Sequence, residues 1–323
     1  MMPGLMPATR SPRLPEPSAS DRSAGDLRGM LATGGAFLFW GLVPPYWKLL
    51  STVPSLELLC HRITWSLPCL LLVIAARRGW RPLITAIADS RTRLTLLGST
   101  LLIGTNWGLF IWAINHDHLL DASLGYFINP LISVLLGMLF LRERLSRAQG
   151  IAVALAGIGV LILTVHLGQL PWISLILASC FGLYGLLRKV AAAGPVIGLT
   201  IEVCLLTPLA LGYLLHGEHA STAAFTHHGL AIDLLLAAAG PVTAVPLLLF
   251  TFGARRLPLA TVGFLQYLAP TGQLLLAVLV YREPFSPTHV AAFSCIWLAL
   301  GLYTADIRRR SRLAPRRHLR SSP

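Results

Sequence analysis

The chain has 323 residues, 55% apolar and only 12% charged, with a mean hydropathy of +0.69 and a formal net charge of +13. Soluble domains carry about 25% charged residues, so a cytosolic globule is excluded. The five cysteines, Cys60, Cys69, Cys180, Cys204 and Cys295, lie inside apolar runs without CxxC spacing, so neither a disulfide framework nor a zinc site is signalled. What remains is an all-α polytopic membrane protein.

Residues 1–30 carry Pro3, Pro7, Pro12, Pro15 and Pro17 among Ser and Arg without apolar periodicity, which predicts a disordered tail. A spanning helix needs about 20 apolar residues. Ten stretches qualify: 31–50, 55–76, 94–114, 119–141, 148–166, 170–187, 195–215, 229–253, 257–281 and 288–306. The first is of full span length and nine follow it, which argues against a secretory signal. Residues 307–323 form a basic tail.

Basic residues cluster from Arg10 to Arg28, at Arg77 to Arg93, at Arg142 to Arg147, at Arg188 and Lys189, at Arg255 and Arg256, and from Arg308 to Arg320. With ten spans, these 23 of the 26 basic residues fall on one face, and the positive-inside rule places both termini in the cytoplasm of a cell inner membrane. The opposite loops hold Asp117, Asp121, Glu218 and Asp233 with several histidines, and Arg282 is their basic residue. The basic tail is read as a topology determinant beside anionic lipid, not as a nucleic-acid site.

A shift of 140 residues aligns 104–164 with 244–304, matching Pro130 with Pro270, Arg142-Glu143 with Arg282-Glu283 and Ser146 with Ser286. A shift of 141 pairs Lys48 with Lys189 and Pro54 with Pro195. Two repeats of five spans, 31–166 and 170–306, follow. Five is odd, so the second copy is inverted, an architecture recurrent in secondary transporters.

Ionisable groups within a membrane are costly and call for a reason. Glu57, His61 and Trp65 share one face of the second span, with Arg62 beside them. Glu202 corresponds to His61 under the 141 shift, and the two are expected to line one central cavity and to couple solute movement to protons. An Arg62–Glu202 or Glu57–Arg62 ion pair that merely orders the bundle is the competing expectation. The fourth span carries Asp121, Gly125, Asn129, Ser133 and Gly137 as a small-and-polar stripe, interrupted by Pro130; the ninth repeats it with Gln266, Pro270, Gln273 and Ala277. Such stripes serve close helix packing or solute contact. Asn106, Trp107 and Trp112, with Trp40, Pro44 and Lys48, are candidate cavity walls, although a terminal Trp often anchors at the interface and Lys48 is placed to snorkel.

WGLVPPYWKLL (40–50), ELLCHRITWS (57–66), NWGLFIWAIN (106–115), DASLGYFINPL (121–131), GLYGLLRK (182–189) and VGFLQYLAPT (262–271) make residues 30–306 resemble a RarD-type permease of the EamA branch, within the drug/metabolite transporter superfamily. The resemblance implies a ten-helix inner-membrane permease of two inverted five-helix repeats. Similar proteins usually carry Glu where this chain has Asp121. The expected solute contacts are His61, Arg62, Trp65, Asn106, Trp107, Tyr126, Asn129, Glu202 and Gln266, with Glu202, His61 and Asp121 as proton-coupling candidates.

Asn115, His116 and Asp121 also spell the N-H-x4-D spacing of glycerolipid acyltransferases, but without the soluble α/β domain and phosphate motif of that chemistry. His116, Asp117, His118 and Asp121 show no evident four-ligand metal closure, and His216, His219, His227 and His228 read as solvated loop residues. No G-x4-G-K-[ST] or H-E-x2-H motif appears. The expectation is therefore a non-enzymatic permease without cofactor or metal, whose partners are a small-molecule solute and the lipid bilayer. A membrane sensor or scaffold on the same fold is the alternative.

Overall fold

The computed structural model describes residues 19–116, 118–168, 172–219, 223–282 and 287–313. Every regular element among them is helical. α1 (Ala19–Leu42) stops at Val43 because Pro44 and Pro45 follow; these open the short α2 (Pro44–Leu49), where prolines are tolerated in the first turn. Next come α3 (Ser55–Ala76), the short amphipathic α4 (Trp80–Ala88), α5 (Ser90–Asn115), α6 (Leu119–Leu141) and α7 (Arg147–Leu167). α8 (Trp172–Val190), α9 (Pro195–His219) and α10 (Leu230–Ala254) follow. A broken helix is then built from α11 (Leu259–Gln266), α12 (Leu268–Leu275) and a π turn at Leu276–Val280, and α13 (Pro287–Leu313) ends the described chain. Nine of these helical stretches are long and apolar enough to cross a membrane: α3, α5 to α10, the α11–π unit and α13.

Two sequence expectations need correction at the ends. Residues 19–30, expected in a disordered tail, are the first turns of α1: the last N-terminal proline is Pro17, and helix-compatible residues follow it. The helix α13 likewise runs on to Leu313, past the boundary drawn at 306. Residues 1–18 and 314–323 lie outside the described residues.

The caps are local. Asp89 accepts the Thr92 N–H at 2.8 Å to start α5, and Ser146 with Gln149 forms a capping box on α7. The α6 and π-turn ends are followed by Arg142 and Arg282, 140 residues apart, both left-handed at φ 53° and 54°. Four arginine-bearing turns gather at one end of the bundle. Lys189 Nζ donates to the Ala254 and Leu257 carbonyls, Arg255 Nη1 to those of Ala191 and Ala193, and Ser146 Oγ to Asp306 of α13 at 2.8 Å. Gly79, beside Arg78, packs on Ile197 at the start of α9.

Packing joins α6 to α8 and α11, α3 to α9 and α10, α1 to α10 and α12, α5 to α8, and α7 to α13. One apolar cluster centres on Phe37, Leu59, Ile63, Tyr184 and Phe250; a second, on Phe127, Ala156, Phe264 and Tyr303, fills the space between α6, α7, α11 and α13. Without water to drive association, membrane helices depend on close backbone approach. A Cβ at Gly240 of α10 would collide with the Trp65 carbonyl group of α3, and one at Gly263 of α11 would stand 2.7 Å from the Pro130 carbonyl oxygen of α6.

Candidate functional site

The first turns of α3 carry the Glu57, His61, Trp65 stripe. Glu57 is buried, and its Oε1 accepts the backbone N–H groups of Ala224 (2.7 Å) and Phe225 (3.4 Å), so one carboxylate pins the connection before α10 onto α3. His61 Nε2 stands 3.8 Å from the same oxygen, and the ring packs 5.1 Å from Phe225. Neither ring nitrogen has a hydrogen-bond partner among the described residues. Trp65 completes the face 6.1 Å from Phe225. Nothing in the sequence flagged Phe225, because an aromatic in a loop 164 residues away has no periodic signal.

Arg62 occupies the adjacent face. Its Nε donates to Thr243 Oγ1 of α10 at 3.0 Å, and its guanidinium lies 4.9 Å from the Trp47 ring and 5.6 Å from that of Trp107. Tyr46 and Tyr126 lie within its electrostatic reach. Among the described residues no carboxylate comes within 4.0 Å of it. The half-buried Arg62 thus faces a ring of aromatic groups drawn from α2, α5 and α6. Of these, Trp107 and Tyr126 are legible in the sequence. Trp47 and Tyr46 arrive because the chain breaks at Val43, and Tyr46 is tied by its hydroxyl to the Leu235 carbonyl at 2.5 Å. Lys48 sits 4.2 Å from the Tyr281 ring instead.

Glu202 is elsewhere. Ser99 Oγ donates to its Oε1 at 2.5 Å, the Tyr184 hydroxyl donates to its Oε2 at 3.2 Å, and Arg188 Nε stands 3.5 Å from Oε1. The ion pairs expected between Arg62 and Glu202 or Glu57 are absent among the described residues; Glu202 pairs with Arg188, a residue that the charge pattern assigned to the topology signal. The shared cavity of His61 and Glu202 is also corrected. The start of α3 lies against the end of α9, since Leu59, Cys60 and Ile63 line one apolar groove with Leu206, Leu209 and Tyr213. Near-equal distances into two antiparallel helices, about 9 and 10 Å by rise, therefore put His61 and Glu202 at different levels.

The amide residues mostly tie helices together. Asn106 Nδ2 donates to the Leu177 carbonyl at 2.9 Å, joining α5 to α8, and Gln266 Nε2 donates to Ser133 Oγ at 3.2 Å, joining α11 to α6. Asn129 Oδ1 and Gln266 Oε1 are buried without a partner among the described residues. Pro130 and Pro270 each lack an N–H, which frees the carbonyls of Tyr126 and Gln266. The stripe on α6 has packing duties: a Cβ at Gly125 would stand 3.3 Å from the Ser174 carbonyl oxygen, and Gly137 leaves room for Glu143. In the same manner Gln273 Nε2 donates to the Trp40 carbonyl at 3.4 Å. Glu143 reaches across to cap α11, accepting the Leu259 N–H at 2.6 Å and that of Ala260 at 3.0 Å. Trp112 stacks with His116 and His118, at 4.6 and 5.7 Å. Asp117 and the side chains of Asn115 and Asp121 lie outside the described residues.

Residues 27–165 match the EamA-like transporter family. The chain is 48% identical over 280 residues to the uncharacterized transporter YojE of Bacillus subtilis, covering 86% of this chain and 93% of that protein. It is 44% identical over 285 residues to the protein RarD of Streptomyces exfoliatus, covering 88% of this chain and 90% of the relative. A solved crystal structure shares the fold at a TM-score of 0.66 and 19% identity, covering 89% of this chain and 99% of that one.

Proposed function

We propose, from the premise that this chain belongs to the EamA-like transporter family as a RarD-type member, that it is a secondary transporter that moves a small organic solute across the plasma membrane by alternating access. In this reading α1 with α2 is a tenth span, and both termini are cytoplasmic, as the gathering of the arginine-bearing turns at one end supports. The two units 31–166 and 170–306 are inverted repeats. Support comes from the packing pattern, which maps onto itself when the units are exchanged: α1 on α12 answers α8 on α6, α1 on α10 answers α8 on α5, and α3 on α10 answers α9 on α5. The left-handed arginines at 142 and 282 add a local correspondence.

The solute site is placed at Arg62, with Trp47, Trp107, Tyr126 and Thr243 as its walls and His61 and Trp65 beside it. The observation that carries this placement is the charge itself: Arg62 stands inside the bundle with no carboxylate beside it among the described residues, where most charges are paired. Glu143, which holds the turn between α6 and α7 to α11, and Glu57, which holds the connection before α10 to α3, are latches at opposite ends. Alternating access requires one to release while the other closes. Glu202 is given a structural part. His61, unbonded and 3.8 Å from Glu57, is the proton-coupling candidate, and Asp121 stays one on its sequence position alone.

The test is a comparison of metabolites in cells overexpressing or lacking the protein, followed by flux of each hit in proteoliposomes. Saturable flux supports transport, and silence across the hits and a broad solute panel would favour a sensor. His61→Ala is expected to keep counterflow but lose the response to an imposed pH gradient.

A further inference from the structure

The shell around Arg62 narrows the chemistry of its ligand. Arginine stays charged at any physiological pH, and its fork of N–H groups matches a carboxylate in two parallel hydrogen bonds. Nε is used on Thr243 Oγ1 at 3.0 Å, which fixes the plane of the group. No acceptor for Nη1 or Nη2 is found among the described residues, and Arg62 is not fully closed off from its surroundings, so the fork of the guanidinium has hydrogen-bonding capacity to spare. Among the described residues, the interior carboxylates of α3 and α9 are already engaged, Glu57 by two backbone N–H groups and Glu202 by Ser99, Tyr184 and Arg188. The indoles of Trp47 and Trp107, at 4.9 and 5.6 Å, screen the cation partly but supply no counter-charge.

We propose that Arg62 is the carboxylate anchor of the solute site, and that the solute is an organic monoanion whose flat apolar body lies among Trp47, Trp107 and Tyr126. A single cation favours one negative charge over a phosphate dianion: Lys48 is drawn to Tyr281 and Arg188 to Glu202. A bound carboxylate and Arg62 form a neutral pair, so the loaded site is closed off from water at less cost than the empty one. The assignment of this ligand to transport rests on the reading given above; the binding does not.

Purified full-length protein is titrated with phenylacetate, indole-3-acetate and hexanoate, each against its own amide, and binding is followed by calorimetry. At least one carboxylate is expected to bind about tenfold or more tightly than its amide, the factor that one charge-assisted hydrogen bond confers. Arg62→Gln is expected to reduce the carboxylate to the level of the amide, and Arg62→Lys to retain part of the preference. Amides that bind as well as the acids, or no binding of any acid up to about 10 mM, would overturn the proposal without recourse to any variant. Carboxylate binding without counterflow would leave the anchor standing and remove transport. Counterflow of a neutral or cationic solute that survives in Arg62→Gln would keep transport and remove the anchor.

Discussion

Arg188 Nε lies 3.5 Å from Glu202 Oε1, and both side chains are at most 1% exposed. The pair joins α8 to α9, Ser99 draws in α5, and Arg188 Nη2 donates to the Pro195 carbonyl at 3.2 Å. Removing one member strands the other charge in a low-dielectric interior. Glu202→Ala is therefore expected to destabilise the protein by about 3–5 kcal/mol, read as the thermal midpoint of purified protein in detergent. The double variant Glu202→Leu with Arg188→Met should recover most of that loss. An unchanged midpoint in Glu202→Ala would refute the structural role.

Glu143 caps α11 from the turn between α6 and α7, since its carboxylate accepts the Leu259 and Ala260 N–H groups at the N-terminal end of that helix. Glu143→Ala should expose the Leu259 and Ala260 amides. Hydrogen bonds to a charged group are worth about 1.5–3 kcal/mol, so their exchange should quicken by roughly ten- to a hundredfold. Glu143→Gln should fall between. Hydrogen–deuterium exchange by mass spectrometry decides it, and equal protection in all three proteins would show that the contact is incidental.

The contact of α3 with α10 depends on the absence of a side chain at Gly240, where a Cβ would collide with the Trp65 carbonyl group and meet the Ser66 nitrogen at 2.7 Å. These are backbone atoms, so neither can swing away. Gly240→Ala should cost at least about 1–3 kcal/mol, as overpacking does, and should weaken solute binding by moving Thr243 away from Arg62. A midpoint and an affinity equal to those of the parent would refute both.

At the arginine-rich end, the Asp89 carboxyl is held below the usual carboxylate range, first by its hydrogen bonds from Thr92 and further by the charge of Arg91. A carboxyl whose folded value is depressed contributes stability above its unfolded value, about 3.9 for Asp, and loses it as the pH falls through the folded value. The midpoint of the parent should therefore drop more steeply below about pH 4 than that of Asp89→Asn, which caps α5 without titrating. Parallel acid limbs would contradict this.

The family resemblance rests on motifs legible in the sequence, as do most of the helices, because both depend on neighbours in the chain. The apolar runs predicted at 55–76 and 119–141 are α3 and α6 to the residue, although α6 continues through Pro130, and the runs drawn unbroken over 31–50 and 257–281 are interrupted at Val43 and Tyr267. Where the sequence misjudged an end, at 19–30, the cause was equally local: the prolines stop at Pro17 and the chain winds from Ala19. The gathering of the basic turns follows from charge segregation, which needs no knowledge of packing.

Only the tertiary structure decided which charges meet. Hydrophobic periodicity gives the faces of a helix but not the level at which a distant helix crosses it. Glu202 and His61 are equivalent by the 141 shift, yet α3 and α9 run antiparallel, so equal distances along each helix become different depths. Arg188 looked like one more basic residue at the edge of a span and is instead fully buried against Glu202, while Arg62, expected as a solute contact with an ion pair as the competing reading, faces Trp47, Trp107 and Thr243. The +13 was readable as a sum and as a topology signal. The one interior arginine left without a carboxylate among the described residues emerged only when helices far apart in sequence were brought together.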